Sequence, residues 1–337
     1  MRILLVNQWA EGSSAKAMHR TIVDENPTML VYYGASEART PENDNKDEWG
    51  PLYTEIEKRG IKTYYITGGE IFLPYYSDKN TFVGGLPNCT IVSNPMYFLY
   101  QTYETLSTKR GKEYGILTTP YPNFEFTRLY ISLNNLAHTH RQHLMDYLTK
   151  NAVFNHGYIS WLNRGKYNCH FEWYTGEEIT LDQPFVDHMD NMWKPPVQYF
   201  QTPINIVSES DDLIPFYTEK TWLALAFSKM FFIQGAVGMN TGLTKYGFKV
   251  FDNIVDYSFD FAQDIKERTD LLTKEVKKLE QYSYNDIWKL TKETREHNRK
   301  RLIEIAGKRL YEPHHLHWLN NLPLSNFVNK NRQLLTR

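Results

Sequence analysis

Cysteine is scarce in this chain: Cys89 and Cys169 are the only two among 337 residues. Two widely separated thiols exclude a disulfide framework and a cysteine-based zinc site, and they predict a reducing compartment. Long hydrophobic runs are missing as well. Met1–Asn7 holds too few apolar residues for a secretory h-region, and no window approaches the roughly 18 apolar residues of a membrane span. The expectation is a soluble cytoplasmic protein without a membrane span. Neither charge sign dominates, with 38 Lys and Arg against 39 Asp and Glu and a net charge of −1. That balance excludes a generally basic nucleic-acid coat and an acidic solvating tail.

Apolar material is abundant. Hydrophobic residues reach 41% and aromatic residues 15%, which a disordered chain does not carry. At roughly 100–200 residues per domain, the length predicts two domains. Strand-like runs at 3–6, 29–33, 63–66 and 90–93 alternate with helical patterns. Such alternation predicts an α/β fold with parallel sheets, whose ligands bind at the carboxyl ends of the strands. Residues 36–49 lack apolar periodicity and read as a surface loop. The prolines Pro120 and Pro122 place the domain boundary, giving a first domain over 1–122, a second over 123–315 and a tail over 316–337 that returns to the first. Strands are expected at 129–133, 157–161, 204–207 and 230–234, with helices through His143–Leu148 and Glu219–Phe227. An interrupted apolar stripe predicts helix from Asp264 to Arg309.

Three segments carry candidate chemistry. After the strand at 204–207 come Glu209, Asp211 and Asp212, then Thr218-Glu219-Lys220-Thr221 at a helix mouth. Thr218 suits an N-cap, and the first-turn amides with the helix dipole favour an anion such as a diphosphate. A lysine in that turn opposes the dipole, so an anionic ligand explains Lys220; the competing reading leaves Lys220 in water and Glu219 complementing the dipole. The loop Asn134-Asn135-Leu136-Ala137-His138 leads into a helix carrying Arg141, a forked donor suited to phosphate oxygens. His138, His140 and His143 have no carboxylate within that loop and read as hydrogen-bonding rather than metal-binding. In the third segment, Gly235 and Gly238 follow an apolar strand and permit close backbone approach to a ligand.

The succession Phe216-Tyr-Thr-Glu-Lys-Thr-Trp222, Phe231-Phe-Ile-Gln-Gly235, Leu243-Thr-Lys-Tyr-Gly-Phe-Lys-Val-Phe251 and Asp256-Tyr-Ser-Phe-Asp260 resembles phage- and algal-virus-encoded glycosyltransferases. These are distant relatives of exostosin-like and α-1,3-fucosyltransferase-like GT-B enzymes. The resemblance covers about residues 128–262. It implies two Rossmann-like domains facing a cleft, with a UDP- or GDP-linked sugar as co-substrate and no cofactor. Carried over, Glu219 would bond the donor ribose, Lys220 and Arg141 would neutralise the diphosphate, and Asn134 would shape the phosphate loop. Asn135 stands where the pattern has a basic residue. No metal is expected, because Asp187 and Asp190 are wrongly spaced for Asp-x-Asp and Asp211-Asp212 lacks the intervening residue.

Glu11, in the turn after the first strand, is the candidate general base; the competing reading is a solvated loop carboxylate. Residues 266–309 hold thirteen Lys and Arg against eight Asp and Glu, a local excess that suits a phosphate backbone. The favoured acceptor is therefore the hydroxymethylated bases of double-stranded viral DNA, with Trp9, Tyr32 and Tyr33 as candidates to stack on a base. A glycan or polysaccharide acceptor is the alternative, and a non-catalytic nucleotide-sugar or nucleic-acid binding protein is the third class.

Overall fold

A computed structural model describes residues 3–7, 14–34, 46–69, 89–107, 125–163, 166–181 and 195–311. The fold is mixed α/β with parallel sheets, and the chain divides into two compact units at Tyr97/Phe98. The expected hinge around 118–122, the tail over 316–337, Glu11 and Trp9 lie outside the described residues.

In the first unit, β1 (Ile3–Asn7), β2 (Met29–Gly34), β3 (Lys62–Thr67) and β4 (Cys89–Ser93) form a parallel sheet in the order β1-β2-β3-β4. Helix α1 (Ala15–Glu25) starts where the Ser14 hydroxyl accepts the Ala17 amide at 3.3 Å, and stops at Asn26, which adopts the left-handed conformation. Ala15, Met18 and Ile22 recur at helical spacing and are buried against Leu4, Leu30, Leu52 and Ile56. Helix α2 (Lys46–Lys58) corrects one expectation, since it begins inside the segment read as loop. Its Leu52 and Ile56 bury against α1 and Trp49 packs on the same cluster, and those tertiary contacts stabilise a start at Lys46-Asp47-Glu48 that carries no apolar signal of its own. Of the two readings open for Tyr32, a base-stacking ring or a core residue, the structure shows the second: it is buried, stacks on Tyr65 at 4.8 Å and meets Trp49 edge-on.

Helix α3 (Tyr97–Ser107) leads into the second unit. There β5 (Tyr130–Asn134), β6 (Gly157–Trp161), β7 (Ile204–Ser208) and β8 (Met230–Gln234) make a second parallel sheet, ordered β6-β5-β7-β8. Every residue of β7 and β8 is buried, as two-sided cover demands of near-continuous apolar strands. Helix α4 (Thr139–Lys150) follows β5, and α5 (Glu219–Ala226) joins β7 to β8. Beyond them lie α6 (Ile265–Lys278), α7 (Tyr284–Leu290) and α8 (Lys292–Lys308). The stripe predicted over 264–309 is thus three helices. Asp264 and Ser283 cap the starts of α6 and α7, and left-handed Arg309 ends α8.

Strand order decides where a ligand fits. From β5 the chain moves to one edge, β6, then crosses back to the far side, β7, so a topological switch point lies between β5 and β7. These two strands pair only at Tyr130↔Ile204 and Ile131↔Asn205, whereas β7 and β8 pair along five residues. They part towards their carboxyl ends. The sheet of the first unit runs β1 to β4 without such a reversal.

Candidate functional site

Asn134 ends β5 and Glu209 directly follows β7, which puts both at the mouth of the switch point. Glu209 is 0% exposed, yet its groups are shared among four elements. Its carboxylate accepts the Thr218 amide at 3.0 Å, the Thr218 hydroxyl, and the Thr221 hydroxyl at 2.6 Å. Its carbonyl accepts His140 Nε2 at 2.8 Å and Arg141 Nη2 at 3.0 Å from the start of α4. Its amide donates to Gln234 O at the end of β8. One buried anion therefore gathers the amino ends of α4 and α5 at a single point. Gln234 completes the joint by donating to the His140 carbonyl at 2.6 Å and accepting the Ser208 hydroxyl at 2.9 Å.

Thr218 is the N-cap of α5 as predicted, its hydroxyl accepting the Lys220 amide at 3.4 Å. Glu209 and Thr218 satisfy one another and build the site from within. Of the next two residues, Glu219 is buried and Lys220 is the more exposed. The Lys220 ammonium has a side-chain exposure of 29% and lies 3.1 Å from Glu219 Oε1, 3.1 Å from Ser210 Oγ and 3.0 Å from Thr218 Oγ1.

Arg141 is 4% exposed and bridges the gap between the parting strands. Nη1 donates to Leu136 O at 3.1 Å, and Nη2 to Glu209 O, all backbone carbonyls rather than carboxylates. Its Nε has no partner. Buried arginine with an open donor is costly unless its charge is answered. Burial lowers its pKa, while Glu209 and Glu219 oppose that shift. Asn134 Oδ1 and Asn135 Oδ1 are likewise buried without partners, although Asn134 Nδ2 donates to Ser132 Oγ. Three orphaned polar atoms thus collect along one loop and the helix it enters.

Of the three histidines, His140 is a hydrogen-bonding group, through Nε2 to the Glu209 carbonyl. Among the described residues, no cluster of three or more His, Cys, Asp or Glu side chains could hold a metal ion. Burial pulls His140 down to about 3 and His138 to about 4, with Arg141 adding to both shifts. Although His140 Nδ1 lies 3.7 Å from Asp212, the pair is no ion pair at neutral pH. A neutral His140 that donates through Nε2 leaves Nδ1 as an acceptor towards Asp212, whose own pKa is raised by burial and by Asp211. Asp212 drew no role from the sequence, because only the fold sets it beside His140.

Gly235 does meet a close neighbour, but the neighbour is the protein itself: a Cβ there would sit 2.6 Å from Met239 Sδ and 3.3 Å from the Asp211 carbonyl. Gly238 is needed for its φ of +75°. The basic run over 266–309 is largely engaged. Arg268 and Arg295 are buried and donate to backbone carbonyls, of Gly235 and of Ser228 and Trp288 respectively. Lys274, Lys277, Lys278, Arg301 and Lys308 pair with Asp270, Glu280, Glu275, Glu304 and Glu304. These pairs draw on acidic residues already counted against the thirteen cations, so they leave the local excess in place; only Arg268 and Arg295 are taken out of it by burial.

No family model, curated protein or solved structure matches this chain. No helix among the described residues is long and apolar enough to cross a membrane.

Proposed function

We propose that this protein is a nucleotide-sugar-dependent glycosyltransferase, with the switch point between β5 and β7 holding the donor diphosphate. One observation carries the reading: the amino end of α4, the Lys220 ammonium and the incompletely bonded Arg141 guanidinium meet where the strands part, while Glu209 already closes the amino end of α5. Donors gathered in a partly desolvated crevice suit a di-anionic leaving group that takes the place of Glu219 on Lys220. In this reading the two units are the acceptor and donor halves of a GT-B enzyme. Lys220 exchanges Glu219 for a phosphate oxygen, and the freed Glu219 carboxylate accepts a ribose hydroxyl. Glu209 and Thr218 act by holding the helix ends rather than by touching the ligand.

For the acceptor, the burial of Arg268 and Arg295 against backbone carbonyls takes two of the thirteen cations over 266–309 away from any phosphate backbone, which favours a glycan over modified DNA. The test incubates the full chain with labelled UDP- and GDP-sugars against oligosaccharides, hydroxymethylcytosine DNA and unmodified DNA. Transfer to oligosaccharide is the expected result, and transfer confined to hydroxymethylated DNA restores the other acceptor. Hydrolysis and transfer absent with every donor, together with no thermal stabilisation by UDP or GDP, would refute the assignment. A diphosphate at about 100 times its Kd adds about 2.7 kcal/mol to stability, and Lys220→Ala is expected to remove most of that gain.

A further inference from the structure

Next to the crevice stands a row of rings that the donor assignment leaves unused. Tyr167 is 41% exposed and lies in the segment after β6. Its backbone is pinned by Asn163 in both directions, since Asn163 Nδ2 donates to Tyr167 O at 3.1 Å and Tyr167 N donates to Asn163 Oδ1 at 3.0 Å. The Tyr167 ring lies 5.4 Å from His138 at 51°, and His138 stacks on His140 at 5.8 Å with 5° between planes. The row runs from solvent into the switch point. Its charged neighbours are those of the crevice: the Tyr167 phenol is within electrostatic reach of Arg141, and His138 of both Arg141 and Lys220.

An exposed aromatic ring on a backbone pinned by two hydrogen bonds and set against His138 loses less entropy when a flat group settles on it than one on a free loop. Stacking of a nucleobase on such a ring is tolerant of base identity because every base offers a π face. We infer that Tyr167, backed by His138, is the stacking platform for the base of a nucleoside diphosphate whose phosphates lie towards Lys220 and Arg141. His138 suits this position because it stays neutral at physiological pH and keeps its face free of a cation's hydration shell. The inference rests on the crevice binding a diphosphate and adds that the ligand is recognised by its base as well as its charge.

The experiment measures binding of UDP, GDP, ADP and inorganic pyrophosphate to the wild-type chain, Tyr167→Ala and Tyr167→Phe by calorimetry. At least one nucleoside diphosphate is expected to bind wild type about tenfold or more tightly than pyrophosphate, as base stacking allows. Tyr167→Ala should erase that preference while leaving pyrophosphate affinity within about twofold, and Tyr167→Phe should retain it. Equal binding of pyrophosphate and all three nucleotides to wild type overturns the platform and leaves the diphosphate crevice standing. Undiminished nucleotide affinity in Tyr167→Ala does the same. Failure of every ligand, pyrophosphate included, overturns the crevice itself.

Discussion

The carboxylate of Glu209 accepts the backbone amide of Thr218 at 3.0 Å, so helix α5 closes its positive end on an anion nine residues earlier in the chain. The same carboxylate takes the Thr221 hydroxyl, one turn into the helix. An internal carboxylate at a helix amino end stabilises it through charge and hydrogen bonding together. Glu209→Gln removes the charge and turns one acceptor into a donor, and is expected to cost about 2–3 kcal/mol. Thr218→Ala should cost about 1 kcal/mol, as loss of an N-cap does. Urea denaturation of both variants checks the order; equal costs would mean that the cap, not the anion, holds the helix.

Acid should weaken the site through His140. Its folded pKa of about 3 lies below the ordinary 6.5, so between those values the unfolded chain binds a proton that the folded chain refuses. Stability therefore falls as pH drops below about 6.5, with a slope approaching 1.4 kcal/mol per pH unit for this group. His140→Gln preserves a donor for the Glu209 carbonyl and should flatten that part of the profile. Denaturation midpoints from pH 7 to pH 4 compare the two proteins.

Lys229 works at the other end of the scale. Its ammonium is fully buried against Thr202, whose hydroxyl accepts it at 3.1 Å, and over the Tyr199 ring at 4.9 Å. Burial holds its pKa well below the usual value, and Arg295 adds to the shift. Between its lowered folded pKa and about pH 10 the folded chain binds fewer protons than the unfolded one, so stability rises with pH through that window. Lys229→Met should remove the rise, which urea melts at pH 7 and pH 9.5 detect.

Asp146 on α4 holds the segment that carries Tyr167. Its carboxylate accepts the amides of Glu172, Trp173 and Tyr174 at 2.9–3.1 Å. Asp146→Ala leaves three amides without their anion and should cost about 2–3 kcal/mol. Hydrogen exchange at residues 172–174 should accelerate by at least about tenfold, while exchange in β7 and β8 changes only with global stability.

Much of this protein is legible one segment at a time. The eight strands follow from apolar runs of strand length, the start of α5 from Thr218, and helical structure beyond Asp264 from periodicity, because each signal acts over a few residues; the division of that stretch into three helices does not. The first turn of α2 is not legible, since Leu52 and Ile56 stabilise it only against α1. Asn134, Arg141, Glu219 and Lys220 could be named as candidates from residue type and position near strand ends. Which of them meet was decided by strand order: β6-β5-β7-β8 brings residues 134–141 against residues 208–220, and no local spacing encodes that meeting. For the same reason Arg141 points at carbonyls rather than carboxylates, Glu209 serves as the common anchor of two helices, and Tyr167 joins the site. Sequence determined which segments bury apolar surface, a short-range property of the chain. Tertiary structure decided which polar groups lost water together, and that loss gives the crevice its chemistry.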